Sequence, residues 1–304
     1  MMLRHLILAV ALLTNTSFSQ HVGDGSSAVV GPSTQLINTS GVDLDYKLIL
    51  HNPVQDKNFY LLSLFQSRPE IRKLLKENQA LKRLSNDKFQ NLRLAARCND
   101  VACYDRLLRL SGPEINTVAN EFEVLALHRH FKLLATEMRR SGVFIRYNRL
   151  SDPEMLIAAW RDAANGMNRL LNVYGLGKNP FYKDIDRVSF DVSSEAYRKL
   201  LKLKLAEIKL AKDSLFFEPT LNFALKLLEA NRRDEAGRYE PLEAGENKTS
   251  VQNLRNVRWA DYPYSFILVL GSGPADSARL SPIGARRAEQ GARLFLDHQA
   301  PLII

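Results

Sequence analysis

The sequence predicts a two-part fold: an all-α domain over residues 43–231, then the first β-α-β unit of a parallel α/β domain over residues 263–304. Three observations point to this. Between residues 69 and 231, apolar residues recur at steps of three and four, the period of helices with one buried face. Ser265-Phe266-Ile267-Leu268-Val269-Leu270 is an unbroken apolar run, the pattern of a strand buried on both faces and hence of a parallel sheet. Gly271-Ser272-Gly273-Pro274 interrupts it at once, a helical pattern follows, and Ala300-Pro301-Leu302-Ile303-Ile304 reads as a second buried strand.

Length and composition are consistent with this plan. The 304 residues allow two domains of ~150 residues each. With 45% hydrophobic and 25% charged residues the chain is not wholly disordered, and 15 Gly and 12 Pro are too few for a collagen or a low-complexity linker. No apolar run reaches the ~18 residues of a membrane span.

The elements follow in order. Met1 to His5 is a short basic start, Leu6 to Leu13 is apolar, and Ser17-Phe18-Ser19 places small residues at alternate positions. Together they predict a signal peptide over 1–19, cleaved before Gln20, and therefore export to the periplasm or the exterior. Its removal takes one Arg from the net charge of +9, so the basic surplus belongs to the mature chain. Residues 20–42, rich in Gly, Ser, Thr and Asn, read as a flexible leader.

In the helical body, Pro69-Glu70 opens a segment with Ile71, Leu74 and Leu75, and Phe89, Leu92 and Ala95 precede the two cysteines. Cys98 and Cys103 flank Asn99-Asp100, a break between helices, and an oxidising compartment favours a disulfide there. Gly112-Pro113-Glu114 opens a long helix expected to end near Ser141-Gly142. Asp152, as cap, and Pro153 start the clearest helix, whose stripe runs through Leu156, Trp160, Ala163, Met167 and Leu171. Trp160 and Met167 there read as plain core. A further helix is expected from Ser193 to Asp213, and Pro219 opens the last. Lys199, Lys202, Lys204, Lys209 and Lys212 form a charge run interspersed with acids, and read as a solvated face. His128 and His130, two apart within a helix, would face opposite ways, so no metal is expected there; two cysteines are likewise too few for a metal. Nucleic acid is an unsuitable partner for an exported chain without a binding motif.

Residues 232–262 lose the periodicity and read either as a linker or as a covering segment carrying Tyr239, Trp259 and Tyr262. In the tail, Ser281 and Pro282 start a helix with Gly284, Ala288, Gly291, Ala292 and Phe295 on one face. A third glycine of a dinucleotide fingerprint would fall on Asp276, and the helix starts too late, so NAD or FAD is not expected; the cofactor is left open.

A strand ending in V-L-G-S-G-P, then L-S-P-x-G-x-x-R-x-x-x-G-x-R-L-F and A-P-L-I-I, resembles the opening of the YdcF-like family, of the SanA and ElyC type. The resemblance implies a Rossmann-like α/β domain with a pocket at the strand ends, in a bacterial envelope protein. It implies a ligand site from Gly271, Ser272, Gly273, Pro274, Ser281 and Arg287. The ligand implied is small and anionic, a nucleotide-linked or lipid-linked phosphate, and peripheral association with the envelope is a further expectation. The family continues into a Ser-Gly-Gly loop and later acidic motifs, which are absent after Ile304, so the resemblance implies a truncated domain without a complete active site. The alternative is a periplasmic helical interaction module with a vestigial α/β tail.

Overall fold

The computed structural model describes residues 41–43, 45–49, 52–180, 187–237, 244–271 and 280–304. The expected signal peptide and all but the last two residues of the leader lie outside these. The chain divides into two compact units, one over residues 1–179 and 188–237, the other over 180–187 and 238–304.

The first unit is built of nine helices among its described residues: α1 (Pro53–Ser67), α2 (Pro69–Glu77), α3 (Gln79–Ala95), α4 (Val101–Leu108), α5 (Gly112–Leu125), α6 (Arg129–Arg140), α7 (Asp152–Leu170), α8 (Glu195–Ala206) and α9 (Glu218–Ala230). The start of α1 is specified locally. Asn52 Oδ1 accepts from the amides of Val54 and Gln55 at 3.1 and 3.2 Å, and Pro53 suits the first turn. Every residue from Phe59 to Phe65 is buried, so this half of α1 is covered all round, and the helix packs on α2 and α7. Its backbone kinks at Phe59 (φ −141°, ψ 45°).

An aromatic chain runs through the core. Phe65, Phe122, Trp160 and Phe216 follow one another with ring centroids 5.5, 6.2 and 5.3 Å apart. Trp160 is fully buried, and its indole N–H donates to the Ile115 carbonyl at 3.0 Å, which offsets the cost of burying that polar atom. Met167 is buried in the same cluster, so both residues are core.

Three helix boundaries differ from the sequence reading. The long helix from Gly112 is two: α5 ends at Leu125, and α6 starts after His128, whose backbone is extended (φ −72°, ψ 140°). The cap of α7 is Ser151 rather than Asp152. Its amide donates to Glu154 Oε2 at 2.9 Å, one arm of a capping box. The helix expected to reach Asp213 stops at Ala206, and Ala211 is exposed. Cys98 and Cys103 are joined by a disulfide with Cα atoms 5.6 Å apart, and Asp100 between them caps α4 by accepting from the Cys103 amide at 2.8 Å.

The second unit carries α10 (Lys248–Leu254), a 3₁₀ turn at Trp259–Asp261 and α11 (Pro282–Leu296). Here the expected fold class is corrected. Among the described residues there is no strand and no sheet, so the β-α-β unit and the Rossmann-like domain are not formed. Segments 266–270 and 301–304 meet only at an isolated parallel bridge, Ile267 with Ile303. Three backbone bonds hold them: Ile267 N to Leu302 O at 2.8 Å, Ile304 N to Ile267 O at 2.9 Å, and Val269 N to Ile304 O at 2.8 Å. The physical reason is cover. A parallel sheet needs further strands and a helix layer on each face. In this unit α11 lies against Val269, while Leu268 and Leu270 remain 39% and 46% exposed.

Candidate functional site

The residues expected to bind a ligand lie in the C-terminal unit. Ser281 caps α11: its hydroxyl accepts from the Gly284 amide at 3.1 Å, with Pro282 at the first position. That hydroxyl serves the helix start. One helical face then carries Gly284, Arg287 and Gly291 at steps of three and four. Gly291 has no room for a β-carbon, which would collide with Val269 Cγ2, so this glycine sets how closely α11 approaches the extended segment. Ala288, Ala292 and Phe295, expected on the packed face, are exposed instead, because the contact is confined to this narrower stripe.

Arg287 lies one turn before Gly291 and reaches the end of the extended segment. Its Nη1 donates to the carbonyls of Leu270 and Gly271 at 3.1 and 3.2 Å. The side chain is therefore a clamp on the backbone at Leu270 and Gly271. Its Nε and Nη2 have no partner among the described residues, and the residue is exposed. A β-carbon built on Gly271 meets no atom of the described residues within 4 Å. Ser272, Gly273 and Pro274, the remaining expected ligand residues, lie outside the described residues.

Other candidates in the helical unit resolve into structural roles. In the lysine run, Lys199 pairs with Glu195 at 2.9 Å, and Lys204 with Glu207 and Glu229 at 3.1 and 2.8 Å. Lys226 joins the same group, and these contacts hold the carboxyls of Glu207 and Glu229 below their ordinary range. The buried Glu218 is fully engaged by Arg72, Gln66 and the Leu215 amide at 2.8–3.0 Å. Buried Lys88 pairs with Glu114 at 2.8 Å and donates to the Arg109 carbonyl at 2.5 Å. A small pocket opens beside Tyr104, Leu201 and Phe223, but its one acid, Asp105, is held by Arg109 Nε at 2.9 Å. None of these groups is placed as a poised acid, base or nucleophile.

Beside α1, Glu137 accepts from Tyr46 Oη at 2.5 Å and from the Arg68 guanidinium. Burial pushes the Glu137 carboxyl up, but the bonds from Arg68 and Tyr46 outweigh it and hold it below the usual value. Burial and the Glu137 contact push the Tyr46 phenol up. This cluster ties segment 43–49 to α2 and α6.

The histidines differ from expectation. Because His128 precedes α6 rather than lying within it, its ring stacks on that of His130, with centroids 5.3 Å apart. No group of three or more metal-ligating side chains occurs among the described residues. No described helix is long and apolar enough to cross a membrane.

No family model matches the chain, and no curated protein or solved structure matches it either. The likeness to YdcF-like proteins therefore rests on the motif residues themselves.

Proposed function

We propose that the chain is an exported envelope protein whose C-terminal unit captures a small phosphate-bearing anion beside Leu270 and Gly271. The observation that carries this reading is Arg287. One nitrogen of its guanidinium is bonded to the Leu270 and Gly271 carbonyls, which fixes the cation beside them. The fork of remaining donors suits a phosphate, since guanidinium matches that geometry with two parallel bonds. Gly271 carries no side chain over its backbone, which lets a ligand approach it closely. The anion would be the phosphate of a nucleotide-linked or lipid-linked intermediate, and no reaction is assigned to it.

The test is equilibrium binding of a nucleoside diphosphate and of a short prenyl phosphate to the full chain, with inorganic phosphate as a control. Arg287→Gln is expected to weaken binding about tenfold, the scale of one charge-assisted hydrogen bond. No binding by the unaltered chain, or binding unchanged in the variant, overturns the proposal.

A second reading takes the helical unit as the working part, an interaction module. It is favoured by the distribution of buried apolar side chains: among the described residues, all of them belong to the helical unit except Ala300. Under that reading Arg287→Gln and Gly291→Leu leave partner binding intact.

A further inference from the structure

We propose that the corner between α5 and α6 docks on an anionic lipid surface. From Val124 to Leu133 the chain reads Val-Leu-Ala-Leu-His-Arg-His-Phe-Lys-Leu, ten residues without an acid. Ala126 and Phe131 point into the core. Val124, Leu127 and Leu133 do not: they are 66%, 69% and 56% exposed. Most of the apolar side chains of α5 and α6 are buried, so these three stand apart.

The backbone groups them with cations. The Leu127 amide donates to the Val124 carbonyl at 3.2 Å, which sets these two side chains one turn apart at the end of α5. Leu133 follows His130 by three residues and Arg129 by four, so it shares their side of α6. Arg129 and Lys132 are exposed, and neither forms an ion pair among the described residues. His128 Nδ1 accepts from the His130 amide at 3.3 Å, which holds the stacked rings at the corner. The exposed Glu123 is the acid next to this stretch, and Glu121 is engaged by Asn78 at 2.6 Å.

This combination selects the occupant. An apolar trio flanked by two cations without ion-pair partners among the described residues, in a stretch of ten residues without an acid, is complementary to anionic headgroups above an acyl layer. The aliphatic side chains enter the boundary while Arg129 and Lys132 meet phosphates. Three side chains give a weak, reversible contact, not an anchor. The envelope reading supplies the biological setting; the Arg287 site plays no part, so the two proposals fail independently.

Vesicle flotation of the full chain tests the inference, with phosphatidylcholine vesicles prepared with and without phosphatidylglycerol. Binding is expected only where phosphatidylglycerol is present, and to fall as salt is raised. The double variant Val124→Ser, Leu127→Ser is expected to lower partition about tenfold. The double variant Arg129→Gln, Lys132→Gln is expected to erase the preference for phosphatidylglycerol. All four positions are exposed, so unchanged circular dichroism and melting confirm that each variant is folded. No partition of the unaltered chain onto phosphatidylglycerol vesicles overturns the inference, and so does partition that the serine variant leaves unchanged.

Discussion

The two units treat similar apolar material in opposite ways. In the helical unit Phe59 to Phe65 form an unbroken apolar-rich run, and every side chain in it is buried. In the C-terminal unit Phe266 to Leu270 form another, and none of its side chains is fully buried. The C-terminal unit also leaves Leu280, Ile283, Phe295, Leu296, Ile303 and Ile304 exposed. The lesson is that an apolar run becomes core only where other elements cover every side of it. Helix α1 has that cover, from α2 and α7 among others. Segment 266–270 has α11 on one face and three backbone bonds along one edge. A helix satisfies its own backbone and needs only side-chain cover, whereas a strand also needs neighbours for its amides and carbonyls.

This contrast can be broken or sharpened by experiment. The largest effect is expected from Trp160→Ala, which empties the centre of the aromatic chain and removes the bond to the Ile115 carbonyl. A loss of about 3–5 kcal/mol in denaturant unfolding is expected, the range for large aromatic truncations in cores. A loss below ~1 kcal/mol would mean that this core collapses around the void, contrary to the packing described.

Next is the disulfide. Cys98→Ser with Cys103→Ser is expected to cost about 2 kcal/mol, the value for closing so short a loop in the unfolded chain. The same shift is expected on reduction of the unaltered protein, compared by chemical denaturation with and without dithiothreitol.

A smaller effect is expected from acid. Glu137 has a lowered folded pKa, so its contribution is complete above its unfolded value near 4.5 and is lost as pH falls through the folded one. Melting temperature measured from pH 6 downward, beginning about two units above that value, should therefore fall on the acid side. Glu137→Gln should remove part of that fall while lowering stability near neutrality, where Arg68 and Tyr46 lose the carboxylate. An unchanged acid profile would show that the cluster does not couple to folding.

The smallest effect on global stability is expected from Gly291→Leu. The added side chain has no space against Val269, so α11 must leave segment 266–270. Hydrogen exchange should lose protection at the Ile267 and Val269 amides, while the main unfolding transition, which reports the helical core, stays in place. A cooperative loss of the whole protein would show that the two units unfold as one.

Much of the helical unit was legible in the sequence. The stripe through Leu156, Trp160 and Met167 has the helical period because one face of α7 is buried, and Pro153 and Pro219 mark first turns, where a backbone amide has no partner within the helix and proline has none to leave unpaired. Helix α1 escaped the same reading for a physical reason: buried on all sides from Phe59 to Phe65, it carries no amphipathic period there. The division between α5 and α6 was also hidden, since Leu125-Ala126-Leu127 continues the apolar pattern and only the backbone turn at His128 reveals the break. Of the candidate site, the sequence marked Gly271, Ser281 and Arg287, but not what they do. That Ser281 caps a helix follows from its position before Pro282, whereas the bonds from Arg287 to two carbonyls depend on how close Gly291 lets α11 approach.

By itself the sequence determined the cap at Ser281, the proline-marked helix starts and the helical stripes, because those depend on side chains a few residues apart. Only the tertiary structure decided that the apolar tail does not form a sheet, that His128 stacks on His130, and that Val124, Leu127 and Leu133 face outward. Each of these depends on which surfaces are covered by residues distant in the chain, and local pattern carries no record of that cover.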